Sequence, residues 1–217
     1  MTEAEWLAAT DSVTMLDYLR GKMSDRKLRL FTCAVCRQLA PFVETVSFIQ
    51  GIELAESYAD GKGTKAAMKR QRQTLDERNY SLAMGPNWAS GECDALFLAI
   101  AALSERDFRT FPTYLSDQMA EGRSKSMMDV FRSTFVLVKD IFDNPFRPIT
   151  INPSWLTSTV FALAPGIYSE KAFDRMPILA DALQDAGCDN EDLLNHCRGP
   201  EPHVRGCFVI DALLDKQ

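Results

Sequence analysis

The sequence lacks a long apolar run that could span a membrane. Its best candidate, DALFLAIAAL at 94–103, falls well short of the roughly 18 residues that a membrane-spanning helix needs. The N-terminal stretch MTEAEWLAATDS carries acidic residues and no apolar core flanked by lysines, unlike a signal or transit peptide. We therefore expect a cytoplasmic protein with no membrane partner.

Basic residues are too few to give the chain a cationic surface overall. It has 24 Lys and Arg against 30 Asp and Glu, for a net charge of −6. Proteins that bind nucleic acids usually present a basic face, so the composition argues against a nucleic-acid partner. Lys65, Lys69, Arg70 and Arg72 form the one basic cluster, which predicts a solvated helix face or, alternatively, a phosphate-binding surface.

Strand-like alternation of apolar and polar residues is almost absent, whereas helical spacing is common. Ser24 is a candidate N-cap for a helix that ends before Pro41, and an apolar stripe runs from Met128 to Phe142. The prolines of NPFRPITINPSW at 144–155 predict an extended connector. The sequence therefore predicts an all-α fold, an irregular helical bundle with an extended Pro-rich connector and a C-terminal tail docked on the N-terminal helices.

The length of 217 residues suits one fair-sized domain or two small ones. The connector supplies the only candidate boundary, near 144–154. Because the tail beyond it is poor in apolar residues, we expect it to pack on the preceding helices. We predict a single domain over residues 1–217.

Histidine is scarce, and both histidines fall within residues 188–207 together with three of the six cysteines. Cysteines in a reducing compartment stay as thiols, so a cluster indicates metal binding or reactivity before a disulfide. Zinc takes four nitrogen or sulfur ligands, often as two pairs from separate segments. The motif CAVC offers one pair and the tail offers the other. The candidate metal ligands are Cys33, Cys36, Cys188, His196, Cys197, His203 and Cys207.

The cysteines of CAVC lie off the main apolar stripe of their predicted helix. A helical wheel centres Cys33 and Cys36 well away from the face of Phe31 and Val35. We expect a second segment, the C-terminal tail, to cover them. Arg29 shares their flank and would favour the thiolate that a metal requires, or else the flank is solvated. This pattern predicts structural zinc that joins the N-terminal CxxC helix to the C-terminal Cys/His tail.

Two other interpretations of the same residues stay open. Free cysteine is a small hydrophobic residue that is often buried, so these residues can be core thiols beside surface imidazoles. A thiol enzyme would use Cys197 as nucleophile, His203 as base, and Asp192 or Asp211 to orient the base. A metal-dependent hydrolase would draw on the same His/Cys cluster. Neither G-x-S-x-G nor H-E-x-x-H occurs, and DGKGTK at 60–65 lacks the spacing of a phosphate loop.

Distinctive segments lie towards both ends of the chain. They are SDRKLRLFTCAVCR, NPFRPITINPSWL and AFDRMPILADALQDAGCDNEDLLNHCRGPEPHVRGC. Together they resemble a family of bacterial proteins that occurs as many paralogues in planctomycetes. The seven candidate ligands and Arg205 fit the pattern of that family, whereas residues from about 43 to 135 carry none of its motifs. The resemblance implies a cytosolic bacterial source.

The sequence favours a non-enzymatic helical interaction or scaffold protein with an unidentified protein partner. The alternative is a metal-dependent hydrolase or thiol enzyme that uses the C-terminal His/Cys cluster. A closed set of four protein ligands would support the structural role. An enzyme instead requires an open coordination position and an adjoining pocket.

Overall fold

The structure is a computed structural model that describes residues 1–43, 45–83, 91–104, 125–199 and 202–216. These residues form eleven α-helices and no strand, which confirms the predicted all-α fold. The helices are α1 (Glu3–Ala8), α2 (Ser12–Leu19), α3 (Asp25–Leu39), α4 (Val46–Ala59), α5 (Lys65–Ala83), α6 (Gly91–Leu103), α7 (Lys125–Phe142), α8 (Ser158–Glu170), α9 (Met176–Asp185), α10 (Glu191–Arg198) and α11 (Phe208–Leu213). None of the helices described is long and apolar enough to cross a bilayer.

The chain divides into two compact units. We name Ala9–Phe135 the N-terminal unit, and Met1–Ala8 together with Val136–Gln217 the C-terminal unit. The division falls within α7 and not in the connector at 144–154. The single-domain interpretation stays a prediction.

The N-terminal unit is built around α3, which packs against α4 and α6. The Ser24 hydroxyl accepts a hydrogen bond from the Lys27 N–H, which confirms the predicted cap, and α3 ends at Leu39, ahead of Pro41. A similar cap begins α2, where the Asp11 carboxylate accepts from two backbone N–H groups. Short polar side chains therefore define where both helices begin.

Helix α3 is buried around most of its circumference, and this corrects the wheel-based expectation for its polar flank. Arg29 is 4% exposed and donates to the carbonyl oxygens of Ala102 and Ser104 at the end of α6. The Sγ atom of Cys33 lies 4.0 Å from the carbonyl oxygen of Ile52 in α4. Other helices of the same unit therefore cover this flank, and Arg29 is not solvated.

The C-terminal unit has its own apolar core, formed by α8 to α11 with Trp155 from the connector. Thr157 and Asn190 cap α8 and α10 through their side-chain oxygens. Gly187, with φ of 85°, turns the chain after α9 in the left-handed conformation that glycine readily adopts. These local signals fix the helix ends that position the side chains described below.

Helix α1 belongs to this same unit and packs near the end of α7. The Lys139 ammonium donates to the Leu7 carbonyl at 3.1 Å. The Glu3 carboxylate accepts from the Asn144 amide at 3.0 Å and pairs with Arg147 at 2.5 Å. The C-terminal segment thus contacts the first N-terminal helix, whereas its docking on α3 stays a prediction.

Candidate metal centre

Four side chains with metal-binding atoms converge within the C-terminal unit. They are Asp140, His196, His203 and Cys207, and their ligand atoms all lie within 4.8 Å of one another. Cys207 is 0% exposed and the Asp140 side chain 1%, while the two imidazoles are 14% and 5% exposed. This buried cluster could hold a metal ion. We call it the Asp-His-His-Cys group.

Three segments bring the group together. Asp140 lies in the last turn of α7, and His196 lies in the last turn of α10. His203 and Cys207 flank a turn before α11, closed by a bond from the Cys207 N–H to the Val204 carbonyl. The Val204 N–H also donates to Asp140 Oδ2 at 2.9 Å, which ties this turn to α7 and orients the carboxylate.

The distances within the group suit a small tetrahedral ion. Asp140 Oδ1 lies 2.7 Å from His203 Nδ1 and 3.1 Å from His196 Nε2. Cys207 Sγ lies 3.3 Å from His196 Nε2 and 4.0 Å from His203 Nδ1. Ligand atoms around a tetrahedral zinc ion are roughly 3.3–3.7 Å apart, given Zn–N near 2.0 Å and Zn–S near 2.3 Å. The four distances given above lie on both sides of that range. Small side-chain shifts would therefore bring these atoms to the separations of a tetrahedral zinc site.

Burial and charge act in opposite directions on Asp140. Burial alone would raise the pKa of this carboxyl group, but hydrogen bonds from His196 and His203 and their positive charge outweigh burial. The pKa of Asp140 is therefore below its ordinary value. The group thus presents an ionised carboxylate, which is a strong ligand for a cation.

Cys207 is held in the neutral form in the absence of a cation. Burial raises the pKa of the Cys207 thiol well above its usual range, and the charge of Asp140 raises it further. Metals bind the thiolate, so binding here would displace the thiol proton. The proton and a metal ion would compete for the same sulfur atom.

His203 has one nitrogen that the surrounding chain leaves unsatisfied. Its Nε2 atom is buried and has no hydrogen-bond partner among the described residues. A buried polar atom without a partner costs about 1–3 kcal/mol. Burying this nitrogen therefore lowers the stability of the folded unit unless another interaction compensates for it.

The predicted ligands of the C-terminal tail fall into two sets. His196, His203 and Cys207 belong to the group, whereas Cys188 and Cys197 lie in the apolar core of the same unit. Burial, followed by the charge of Asp140, raises the pKa of Cys197 to about 12. These two cysteines fit the interpretation as core thiols.

The CAVC pair lies in the N-terminal unit and outside the group. Cys33 and Cys36 are 1% and 0% exposed, and burial raises the pKa of both thiols. The next effect on Cys33 is the charge of Glu56, which acts in the same direction. Arg29 lowers the pKa of Cys33, as its position in the sequence led us to expect, but burial dominates.

Asp140 is the ligand that the sequence reasoning missed. It lies 63 residues before His203, and the carboxylates considered were Asp192 and Asp211. A signal was present, because Asp140 follows the apolar Leu137 by three residues and so shares its helix face. A lone acid on an apolar face is rarely buried without a partner.

The contacts within the group do not have the geometry of a catalytic triad. In a catalytic triad the base contacts the nucleophile through one ring nitrogen and the carboxylate through the other. Here His196 approaches both Cys207 and Asp140 through the same atom, Nε2. His203 likewise approaches both through Nδ1. Both imidazoles point one nitrogen at a common centre, which is the arrangement of ligands around an ion.

A cavity of about 370 Å³ adjoins the group. His196 contributes to its wall, so this imidazole borders both the cavity and the Asp-His-His-Cys group. Trp6 of α1 and Phe208 of α11 supply aromatic surface. The cavity therefore lies entirely within the C-terminal unit.

Comparison with known proteins finds no relative: the chain matches no family model, no curated protein and no solved structure. The resemblance to the planctomycete family stays a prediction. Function must therefore be argued from the chemistry of the site.

Proposed function

We propose that the protein is a non-enzymatic helical interaction protein whose C-terminal unit is stabilised by a structural zinc ion. The observation that carries the zinc proposal is the convergence of four ligand atoms from three separate segments within 4.8 Å. Asp140, His196, His203 and Cys207 would be the ligands. The two imidazoles aimed at a common centre support a role in holding an ion over a role in proton relay.

The donor set favours zinc over calcium, magnesium and copper(I). Two imidazoles, one thiolate and one carboxylate form a mixed nitrogen, sulfur and oxygen set. Calcium and magnesium prefer oxygen ligands, and copper(I) prefers sulfur. Zinc accepts all three donor types in four-coordinate sites.

The number and burial of the ligands support a structural role. Structural zinc sites are filled by four protein ligands, whereas catalytic sites keep one position for water or substrate. The present group offers four protein ligands, and two of them are almost completely shielded from solvent. An ion here would connect α7, α10 and the turn before α11. The free energy of binding the ion would add to the stability of the folded unit.

Elemental analysis of protein purified without a histidine tag tests this proposal. We expect close to one zinc ion per chain. The Cys207→Ser variant should lose most of the metal, and Cys188→Ser, which alters another buried thiol of the same unit, should retain it. Absence of metal from the wild type under metal-replete conditions, or equal metal content in both variants, would overturn the proposal.

A metal-dependent hydrolase is the second candidate, because the cavity borders His196. This function would need one ligand to leave the ion open towards the cavity. Cobalt substitution distinguishes the two roles, since the visible spectrum of Co²⁺ reports its coordination. We expect a spectrum that acetohydroxamate, a small metal chelator, does not change. A shift at low hydroxamate concentration would favour the hydrolase.

A further inference from the structure

The cavity beside His196 has the size and composition of a small-molecule site. Its volume of about 370 Å³ lies towards the lower end of the range of ~300–1,000 Å³ that is typical of ligand pockets. Such pockets combine apolar walls with a few polar groups that orient the ligand. The polar groups of this cavity have two signs of charge and come from different segments.

Two basic side chains line the cavity. They are Lys139 at the end of α7 and Arg147 of the connector. Each is held by α1, Lys139 through the Leu7 carbonyl and Arg147 through the Glu3 carboxylate. Arg147 is engaged through Nε, and its terminal N–H groups can still donate to a carboxylate in the two-point geometry that guanidinium favours.

Another part of the lining is acidic. Asp192 and Asn195 are three residues apart on α10, so they project from one face of that helix. Asp143, just beyond α7, also lines the cavity. Burial raises the pKa of Asp143, and backbone hydrogen bonds from Asn144 and Ile149 only partly oppose it. An ammonium group bound beside Asp143 and Asp192 would favour the ionised form of both carboxyl groups.

Aromatic surface completes the cavity. Trp6 and Phe208 contribute to the lining, and both are mainly buried. The Phe208 ring packs on the His196 ring, with centroids 4.3 Å apart. This packing gives the cavity a firm apolar wall.

We infer that the cavity binds a small zwitterion, a free α-amino acid with an apolar side chain. Arg147 and Lys139 receive its carboxylate, Asp192 and Asp143 receive its ammonium group, and the aromatic wall receives its side chain. The acidic side chains would repel a purely anionic ligand, and the basic side chains would repel a purely cationic ligand. Only a ligand with both charges satisfies both sets of groups.

Isothermal titration calorimetry with L-phenylalanine, L-leucine and L-methionine tests the inference. We expect at least one of them to bind. For L-phenylalanine, 3-phenylpropanoate and phenethylamine, which each lack one charged group, should bind about tenfold or more weakly than the amino acid. Failure of all three amino acids at millimolar concentration would overturn the inference. Equal binding of either single-charge analogue would also overturn it.

Matched variants locate the binding site. Arg147→Gln and Asp192→Asn should each weaken binding about tenfold or more. Arg175→Gln removes another exposed arginine that is paired with a glutamate, and Glu191→Gln removes the acid next to Asp192 in the same helix turn. Neither control residue lines the cavity, so both should bind as the wild type does. Equal losses in test and control variants would place the ligand elsewhere. Zinc content measured on the same samples keeps the metal proposal separate from this one.

Discussion

Asp140 is a buried carboxylate with three polar neighbours. Two imidazole nitrogens lie within 3.1 Å of Oδ1, and the Val204 N–H donates to Oδ2. These contacts come from α10 and from the turn before α11. One side chain therefore contacts both imidazoles and the turn that carries Cys207.

We predict that Asp140→Asn lowers the free energy of unfolding by about 1.5–3 kcal/mol, the usual worth of a buried hydrogen bond to a charged group. The amide keeps the size of the side chain but removes the carboxylate that accepts from the Val204 N–H and contacts both imidazoles. Urea denaturation measures the change. Asp181→Asn, which removes a carboxylate from an exposed ion pair with Arg198, is the control and should cost less than about 1 kcal/mol. Similar losses in the two variants would contradict the importance of Asp140.

A second prediction separates the group from the CAVC pair. His203→Ala and Cys207→Ser act on one site, so their combined effect should fall short of the sum of the single effects by about 0.5–3 kcal/mol. Cys36→Ser and Cys207→Ser should be additive if Cys36 is not a ligand. Chemical denaturation of the single and double variants gives both cycles. Coupling between Cys36 and Cys207 would instead support the sequence-based prediction of one zinc site that joins the CAVC helix to the C-terminal tail.

At the scale of one element, α2 depends on a charged cap. Burial works against ionisation of Asp11, but bonds from the Thr14 hydroxyl and from the Thr14 and Val13 N–H groups outweigh it, so the pKa of Asp11 is lowered. A lowered folded-state pKa means that the stabilisation is complete above the unfolded-state pKa of ~3.9. It is lost as the pH falls through the folded-state value.

We therefore predict that Asp11→Ala costs about 1 kcal/mol at pH 7, the typical value of an N-cap. The difference between variant and wild type should shrink as the pH drops below ~3.9. Thermal unfolding between pH 7 and pH 3 measures it. Thr157→Ala, which removes the uncharged N-cap of α8, should show no such convergence. A constant difference for Asp11→Ala would mean that ionisation of the cap is irrelevant.

Local signals in the sequence were sufficient to predict the elements but only part of the site. Ser24 and Pro41 mark the ends of α3 because caps and prolines act within a few residues. His196, His203 and Cys207 were predicted because scarce residue types cluster in one short segment. Asp140 could not be paired with them, since its contacts depend on how α7 packs against α10. The alternative of a solvated flank on α3 was wrong, because neighbouring helices cover Arg29.

At the scale of the whole molecule, metal should stabilise one unit selectively. A ligand at a thousand times its dissociation constant stabilises the folded state by about 4 kcal/mol. All four ligands of the group belong to the C-terminal unit. We predict that chelation with EDTA accelerates amide hydrogen exchange in α10 and α11 and leaves α3 and α4 unchanged. Exchange measured by mass spectrometry with and without EDTA reports each helix. Uniform acceleration would contradict a site confined to one unit.

The C-terminal unit is discontinuous in sequence, since it combines Met1–Ala8 with Val136–Gln217. During synthesis on the ribosome, α1 leaves the exit tunnel long before its packing partners have been translated. Ala9–Phe135 can fold first, before the residues that pack against α1 have been synthesised. The unit closes only when His203 and Cys207, which follow the whole N-terminal unit in the chain, have emerged. Zinc capture would therefore come after the N-terminal unit has been synthesised and could not assist its folding.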